Sequence, residues 1–218
     1  MTDGPRGPRV RRYGDRGLLI ELDDTATAVA VADLVRGHPA AGELVGDVVP
    51  GARTVLVVAL PGVTVDQLRA MVPAEKHRDL SNPRAFEQGR SQGETVIPVA
   101  YDGPDLATVA DLTGLSEAEV VAAHTGTSWR VAFGGFAPGF AYLAGGDPRL
   151  RVPRREEPRT SVPAGSVGLA GEFSGVYPRE SPGGWQIIGR TELSVWDLDR
   201  DPPALLTAGA AVRFEAVS

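Results

Sequence analysis

The sequence predicts an α+β chain in two parts: a small sandwich of strands with helices on one face, then a barrel or closed sandwich of short strands. Three observations carry this. The order strand, strand, helix occurs twice before Pro73. A polar, charged stretch from Ala74 to Glu94 then reads as a linker. After it come two short capped helices, followed only by short strands punctuated with Gly and Pro. The expected domains are 1–88 and 89–218.

Residues Met1 to Pro8 are polar and rich in Gly and Pro, and are expected to fray. Arg9 to Leu22 reads as two strands around a Tyr13-Gly14-Asp15 turn. Asp24 or Thr25 can cap a helix from Ala26 to about Arg36, with Ala28, Val31, Ala32 and Val35 on one face and Gly37 as its stop. Val45–Val49 and Thr54–Leu60 are strand-like, with Pro50-Gly51 between them. Thr64 and Gln67 form a T-x-x-Q capping box that opens a short helix. In the second half, Val96–Tyr101 is a strand, and Pro104 and Gly114 bracket a helix. Ser116 and Glu119 are a second capping box, for a helix that runs to His124. Trp129, Val131 and Phe133 alternate as a strand with one buried face, and Leu193–Leu198 and Ala211–Val217 read as closing strands.

The composition narrows the function. A net charge of −6 argues against a nucleic-acid coat or a polybasic membrane anchor. With no cysteine there is no disulfide, thiolate metal site or cysteine nucleophile. His38, His77 and His124 lack metal-like spacing, so no metal site is expected. The apolar run at Leu18–Ile20 ends at Glu21, too short for a signal peptide, and no stretch is long enough to span a bilayer. The expectation is a soluble cytoplasmic protein.

Phe133 to Thr191 is the candidate functional region, because Gly, Pro, aromatics and arginine concentrate there without a long apolar period. Gly134 to Phe140 holds three glycines and Pro138 around two aromatics. It reads either as a rigid loop carrying Phe136 and Phe140 over a pocket, with Pro138 and Gly139 in its wall, or as a β-bulge with core aromatics. Arg149, Arg151, Arg154, Arg155 and Arg159 crowd one segment in which Glu156 and Glu157 can neutralise part of the charge. A solvated loop is one explanation. Arg154 and Arg159 each follow a proline, which restricts the backbone and suits an aimed guanidinium that binds carboxylate or phosphate. Ser166 after Pro163-Ala164-Gly165, and Ser181 before Pro182-Gly183-Gly184-Trp185, are candidate anion-binding hydroxyls. Neither lies in a G-x-S-x-G elbow, and no phosphate loop or dinucleotide fingerprint is present. His124 ends a helix, where it fits either a general acid–base or anion contact, or a helix cap.

The segments GGFAPGFAYL, PRREEPR, SVPAGSVGLAG and GVYPRESPGGWQIIGRT, with His124-Thr125-Gly126 before them, resemble the B-type component family of 5-oxoprolinase. That family includes the kinase inhibitor KipI and proteins labelled allophanate hydrolase subunit 1. Tyr13-Gly14-Asp15 and Val49-Pro50-Gly51 extend the resemblance upstream. The resemblance implies a small N-terminal α/β domain and a cyclophilin-like β-barrel domain. It implies two partners, a homologous cyclophilin-like barrel protein (the C-type component of 5-oxoprolinase, KipA-like) and a lactam-utilisation subunit, with ATP as cofactor of the complex. The implied reaction opens 5-oxo-L-proline to L-glutamate, with the chain inactive alone. The alternatives are inhibition of a sensor histidine kinase, or carboxyl transfer to urea or another amide. In this setting Arg154, Arg159 and Arg190 are the expected anion partners, with Ser166 and Ser181 as hydroxyl contacts. Phe136, Tyr177, Gly184 and Trp185 belong to the pocket wall, and His124 is the proton carrier.

Overall fold

The computed structural model describes residues 8–72 and 94–217, so the expected frayed start falls almost wholly, and the expected 74–94 linker except for Glu94, outside the described residues. The described residues form two compact units, one on each side of the 73–93 segment.

The first unit is a four-stranded antiparallel sheet in the order β1-β2-β4-β3, from Arg9–Tyr13, Gly17–Glu21, Thr54–Ala59 and Val45–Pro50 respectively. Alternation sets its faces: Val55, Val57 and Ala59 of β4 are buried, and Val55 and Val57 pair with Ile20 and Leu18 of β2. Helix α1 (Thr25–Arg36) starts at Asp24, whose carboxylate accepts a 2.7 Å bond from the Thr27 N–H. Its buried stripe Ala28, Val31, Ala32 and Val35 joins those strands in one core. A single turn, α2 (Ala41–Leu44), lies between α1 and β3. Helix α3 (Val65–Met71) opens with the expected capping box, in which Thr64 and Gln67 satisfy each other's backbone N–H groups. Val65, Leu68 and Met71 close the core.

The second unit is a closed seven-stranded barrel. Its strands are β5 (Thr95–Ala100), β6 (Trp129–Gly134), β7 (Ala141–Ala144), β9 (Ser166–Ala170), β10 (Phe173–Val176), β12 (Gln186–Arg190) and β13 (Ala211–Val217). They follow the order β10-β7-β6-β13-β5-β12-β9, and β9 pairs with β10 to close the ring. Every pairing is antiparallel except β5 with β13. Closure removes the open sheet edges. Ile97, Val99, Val131, Leu143, Leu169, Ile188, Val212 and Phe214 fill the interior. Each such buried side chain stabilises the fold by about 1.5–3 kcal/mol. Helices α4 (Leu106–Thr113) and α5 (Glu117–Thr125) add Val109, Val120 and Ala123 to this core. Gly114 takes φ 71° to end α4, and Ser116 and Glu119 form the second capping box.

Two expectations are corrected. The first four residues of β6 are all buried, so both faces of that strand are covered. Leu193–Leu198 is not a strand. Trp196 makes one bridge to Ala204, and Leu205 donates to the Val195 carbonyl, so the segment folds back on its own loop and joins no sheet.

Candidate functional site

A second, smaller apolar cluster unites Phe140, Val162, Ala170, Tyr177, Trp185 and Ile187, with Tyr142 and Phe173 packed against it. Above it runs a two-stranded ribbon, β8 (Arg159–Val162) with β11 (Ser181–Gly183), in which Ser181 faces Val162 and Gly183 faces Arg159. The aromatics meet edge to face. Phe140 lies 5.3 Å from Tyr177 and 5.2 Å from Trp185, and Trp185 lies 5.5 Å from Tyr142, measured between ring centroids. This paired ribbon and these contacts give the glycine-rich loops a fixed base.

The Gly134–Gly139 turn presents Phe136 at the rim. Phe136 has φ 65°, a left-handed conformation that costs a bulky residue about 1–2 kcal/mol. Its ring is 60 % exposed, yet it rests 6.2 Å from Tyr177 and 5.3 Å from Phe140. Gly139 has φ 82°, and a Cβ there would lie 2.6 Å from the Cβ of Trp196, so the turn is pinned from behind. Phe140 is buried in the core, as the second reading expects, while Phe136 is exposed at the rim. Gly183 has no room for a Cβ because the Tyr177 hydroxyl occupies the space. Gly184 accepts from the Arg155 N–H at 2.8 Å and lies against Pro158, which docks the arginine segment on the ribbon.

Arg154 is exposed, whereas Arg155 and Arg159 are held in place. Arg159 forks onto the buried Asp105, with Nη1 2.8 Å from Oδ2 and Nη2 2.8 Å from Oδ1, and Arg155 Nη1 lies 2.7 Å from Oδ1. Burial pushes the Asp105 carboxyl up. The hydrogen bonds from Arg159 and the Ile187 N–H, with the charges of both arginines, outweigh it and hold the group below the usual carboxylate range. Burial likewise raises the Tyr177 phenol, opposed by a hydrogen bond from the Trp185 backbone and by the charges of Arg154 and Arg159. Phe136, Tyr177, Trp185, Gly184, Arg154 and Arg159 are therefore neighbours. Ser181 joins through the ribbon, where its buried Oγ has no hydrogen-bond partner.

Other expected residues lie elsewhere. Arg190 is exposed at the end of β12, bonded to Asp102 at 2.9 Å and near Glu192. Ser166 pairs with Arg190 across the strands and is buried. Arg149 binds Asp147, and Arg151 meets Glu172 at 3.1 Å.

His124 is the main correction. It is 0 % exposed in the barrel core, stacked 4.1 Å from Phe214. Nδ1 lies 2.7 Å from the Tyr101 hydroxyl and Nε2 lies 2.8 Å from Ser174 Oγ. Burial lowers its pKa to about 3, so it is neutral and fully bonded. Its backbone carbonyl also accepts from Trp129 Nε1 at 3.0 Å. This is a structural tie between α5 and the barrel, out of reach of an external substrate. Sequence reasoning also missed Asp105. The one available sign was an Asp just before a helix, which reads as a cap, yet its side chain makes no cap bond.

Among the described residues no group of three or more His, Asp or Glu side chains could hold a metal, and no helix is long and apolar enough to cross a membrane. The model of the carboxyltransferase domain, subdomain C and D, matches residues 8–206. The chain belongs to this carboxyltransferase-domain family. Among its relatives are the B-type components of 5-oxoprolinase from Escherichia coli O157:H7, 54% identical over 121 residues, and from Bacillus subtilis, 49% identical over 125 residues. These alignments cover 54% and 56% of this chain, and 56% and 52% of the relatives. The matched part is thus about half the length of these relatives. The solved structure of TTHA0988 is 34% identical with a TM-score of 0.69, over 94% of this chain and 40% of that one. The Pyrococcus horikoshii protein PH0987 is 35% identical with a TM-score of 0.56, covering 96% of this chain and 98% of its own. The Kluyveromyces lactis urea carboxylase is 19% identical with a TM-score of 0.63, which extends the shared fold alone.

Proposed function

We propose that the chain is a subunit of an ATP-dependent 5-oxoprolinase complex and takes the anionic substrate on its arginine–aromatic face. The observation that carries this is the guanidinium pair of Arg155 and Arg159, fixed on a single buried carboxylate beside Tyr177 and Phe136. Two arginines share this one buried aspartate, and Arg154 adds a third guanidinium near Tyr177, with Glu156 and Glu157 in the same segment. A small cyclic carboxylate fits such a face: its carboxylate meets guanidinium donors and its ring lies against Phe136. The relatives named as 5-oxoprolinase components support the same reading.

Opening the lactam breaks the ring C–N bond, leaves the nitrogen as the amine of glutamate and adds water oxygen to the carbonyl. This chain's part in that reading is to bind the carboxylate through Arg154 and Arg159, orient the ring and keep bulk water off with Phe136, Tyr177 and Trp185. ATP belongs to the complex. The guanidiniums offer donors suited to phosphoryl oxygens, and when bound the nucleotide would supply the activation that an unstrained amide needs. The expected partners are the homologous barrel protein and the lactam-utilisation subunit, in the cytoplasm.

Carboxyl transfer is the second reading, favoured by the family description and by the relative named urea amidolyase in Saccharomyces cerevisiae, 27% identical over 244 residues. The test is ADP release by the chain assembled with those two partners. The expected result is ADP formation that depends on 5-oxo-L-proline, with matching glutamate. ADP release that instead needs bicarbonate and urea would replace the lactam reading by carboxyl transfer.

A further inference from the structure

Asp105 has a feature that the proposed reaction does not use. It is 2 % exposed, and both carboxylate oxygens are fully engaged. Oδ1 accepts from Arg155 Nη1 and Arg159 Nη2, and Oδ2 accepts from Arg159 Nη1 and, at 2.7 Å, from the Ile187 N–H. Its backbone is equally constrained. The Asp105 N–H donates to the Ile187 carbonyl at 2.9 Å, and the Gly103 N–H donates to the Ile188 carbonyl at 3.2 Å. Gly103 packs so closely on the backbone of β12 that a Cβ would collide with Ile187 and Ile188. The carboxylate is thus fixed to the barrel wall, and the two arginines, 50 and 54 residues away in sequence at the start of β8 and in the loop before it, are fixed to the carboxylate.

The arginine side chains are 32% and 25% exposed, whereas the carboxylate between them is covered. A guanidinium has five N–H donors. Arg159 uses two on Asp105, and Arg155 uses one there and one on the Glu157 carbonyl. The remaining donors point from a rigid fork. A long cation that is already immobilised loses less side-chain freedom when it binds a ligand.

We propose that Asp105 is a positioning residue for anion recognition: buried behind Arg155 and Arg159, it holds their unused donors in place beside Tyr177 for a carboxylate or phosphoryl group that it never touches. This rests on the reading of that face as the substrate's anion seat.

The test uses Asp105→Asn in the full chain, with inorganic phosphate as probe in calorimetric titrations at fixed ionic strength. Phosphate affinity is expected to fall about tenfold, and in the assembled complex KM for 5-oxo-L-proline should rise by a similar factor with kcat within twofold. In an Arg159→Ala background, Asp105→Asn should change phosphate affinity little, because Asp105 acts through that arginine. Unchanged or tighter phosphate binding in Asp105→Asn would overturn the proposal, since a purely structural or competing carboxylate gives that result. If Asp105→Asn does not fold, Asp105→Glu gives the same decision. It keeps the charge but shifts the fork by one methylene, so a positioning role predicts weaker binding and simple charge balance predicts no change. Wild-type chain that fails to bind phosphate overturns the proposal along with the anion-seat reading. Binding that depends on Asp105 in a complex without 5-oxoproline-dependent ADP release overturns only the lactam reading.

Discussion

Replacing His124 with Ala is expected to destabilise the barrel unit by roughly 3–5 kcal/mol. The change empties a site against Phe214 and Trp129 and leaves the Tyr101 hydroxyl and Ser174 Oγ without their shared partner. The same residue sets a pH signature. Its folded pKa, lowered by burial to about 3, lies below the ordinary value of 6.5. Between these values the unfolded chain takes up a proton that the folded chain refuses. Stability is therefore full above pH 6.5 and falls as the pH drops toward 3, with a slope of about 1.4 kcal/mol per pH unit from this group. From pH 6.5 down to about 5.5 carboxylates stay charged in both states, so the histidine dominates the slope there. Urea unfolding across the window should show this slope in the wild type and lose it in His124→Gln. A wild-type profile that is flat there would show that the imidazole is protonated in the fold.

Arg159→Ala is expected to lower 5-oxoproline-dependent turnover of the complex by about a hundredfold or more, as loss of a fixed guanidinium from the anion seat should. The fold should survive, because Asp105 keeps Arg155 and the Ile187 N–H and is not left as an orphaned charge. Arg149→Ala is the matched control. Arg149 is an exposed arginine spent on Asp147, and its variant should turn over normally. Steady-state assays, with thermal melts and co-purification of the partner proteins, separate lost chemistry from lost structure. Normal turnover in Arg159→Ala would remove that residue from the site.

Local chemistry made much of the fold legible. The boxes at Thr64/Gln67 and Ser116/Glu119 are short-range hydrogen-bond patterns, and both occur as the sequence reads. The strands of β1 and β2 around Gly14 are equally local. Leu193–Leu198 failed because its alternation is that of a strand while no neighbour is free to pair with it; the ring is already closed by β9 and β10. At the candidate site, Gly and Pro density located Phe136, Tyr177, Gly184 and Trp185, because shaped loops need those residues wherever they stand. Helix-end reasoning for His124 used the four or five residues around it. Its environment comes from Ser174 and Phe214, far along the chain. Asp105 was hidden for the same reason, since its partners lie about 50 to 80 residues further along the chain, in and before β8 and on β12.

The seat itself is tested most directly by arginine footprinting of the assembled complex with an arginine-selective dicarbonyl reagent, read by peptide mass spectrometry with and without saturating 5-oxo-L-proline. Protection confined to Arg154, Arg155 and Arg159, with Arg149 and Arg151 labelled at unchanged rates, is the expected result. Equal labelling of Arg154 and Arg159 in both conditions, while the complex turns over, would place the substrate on another surface.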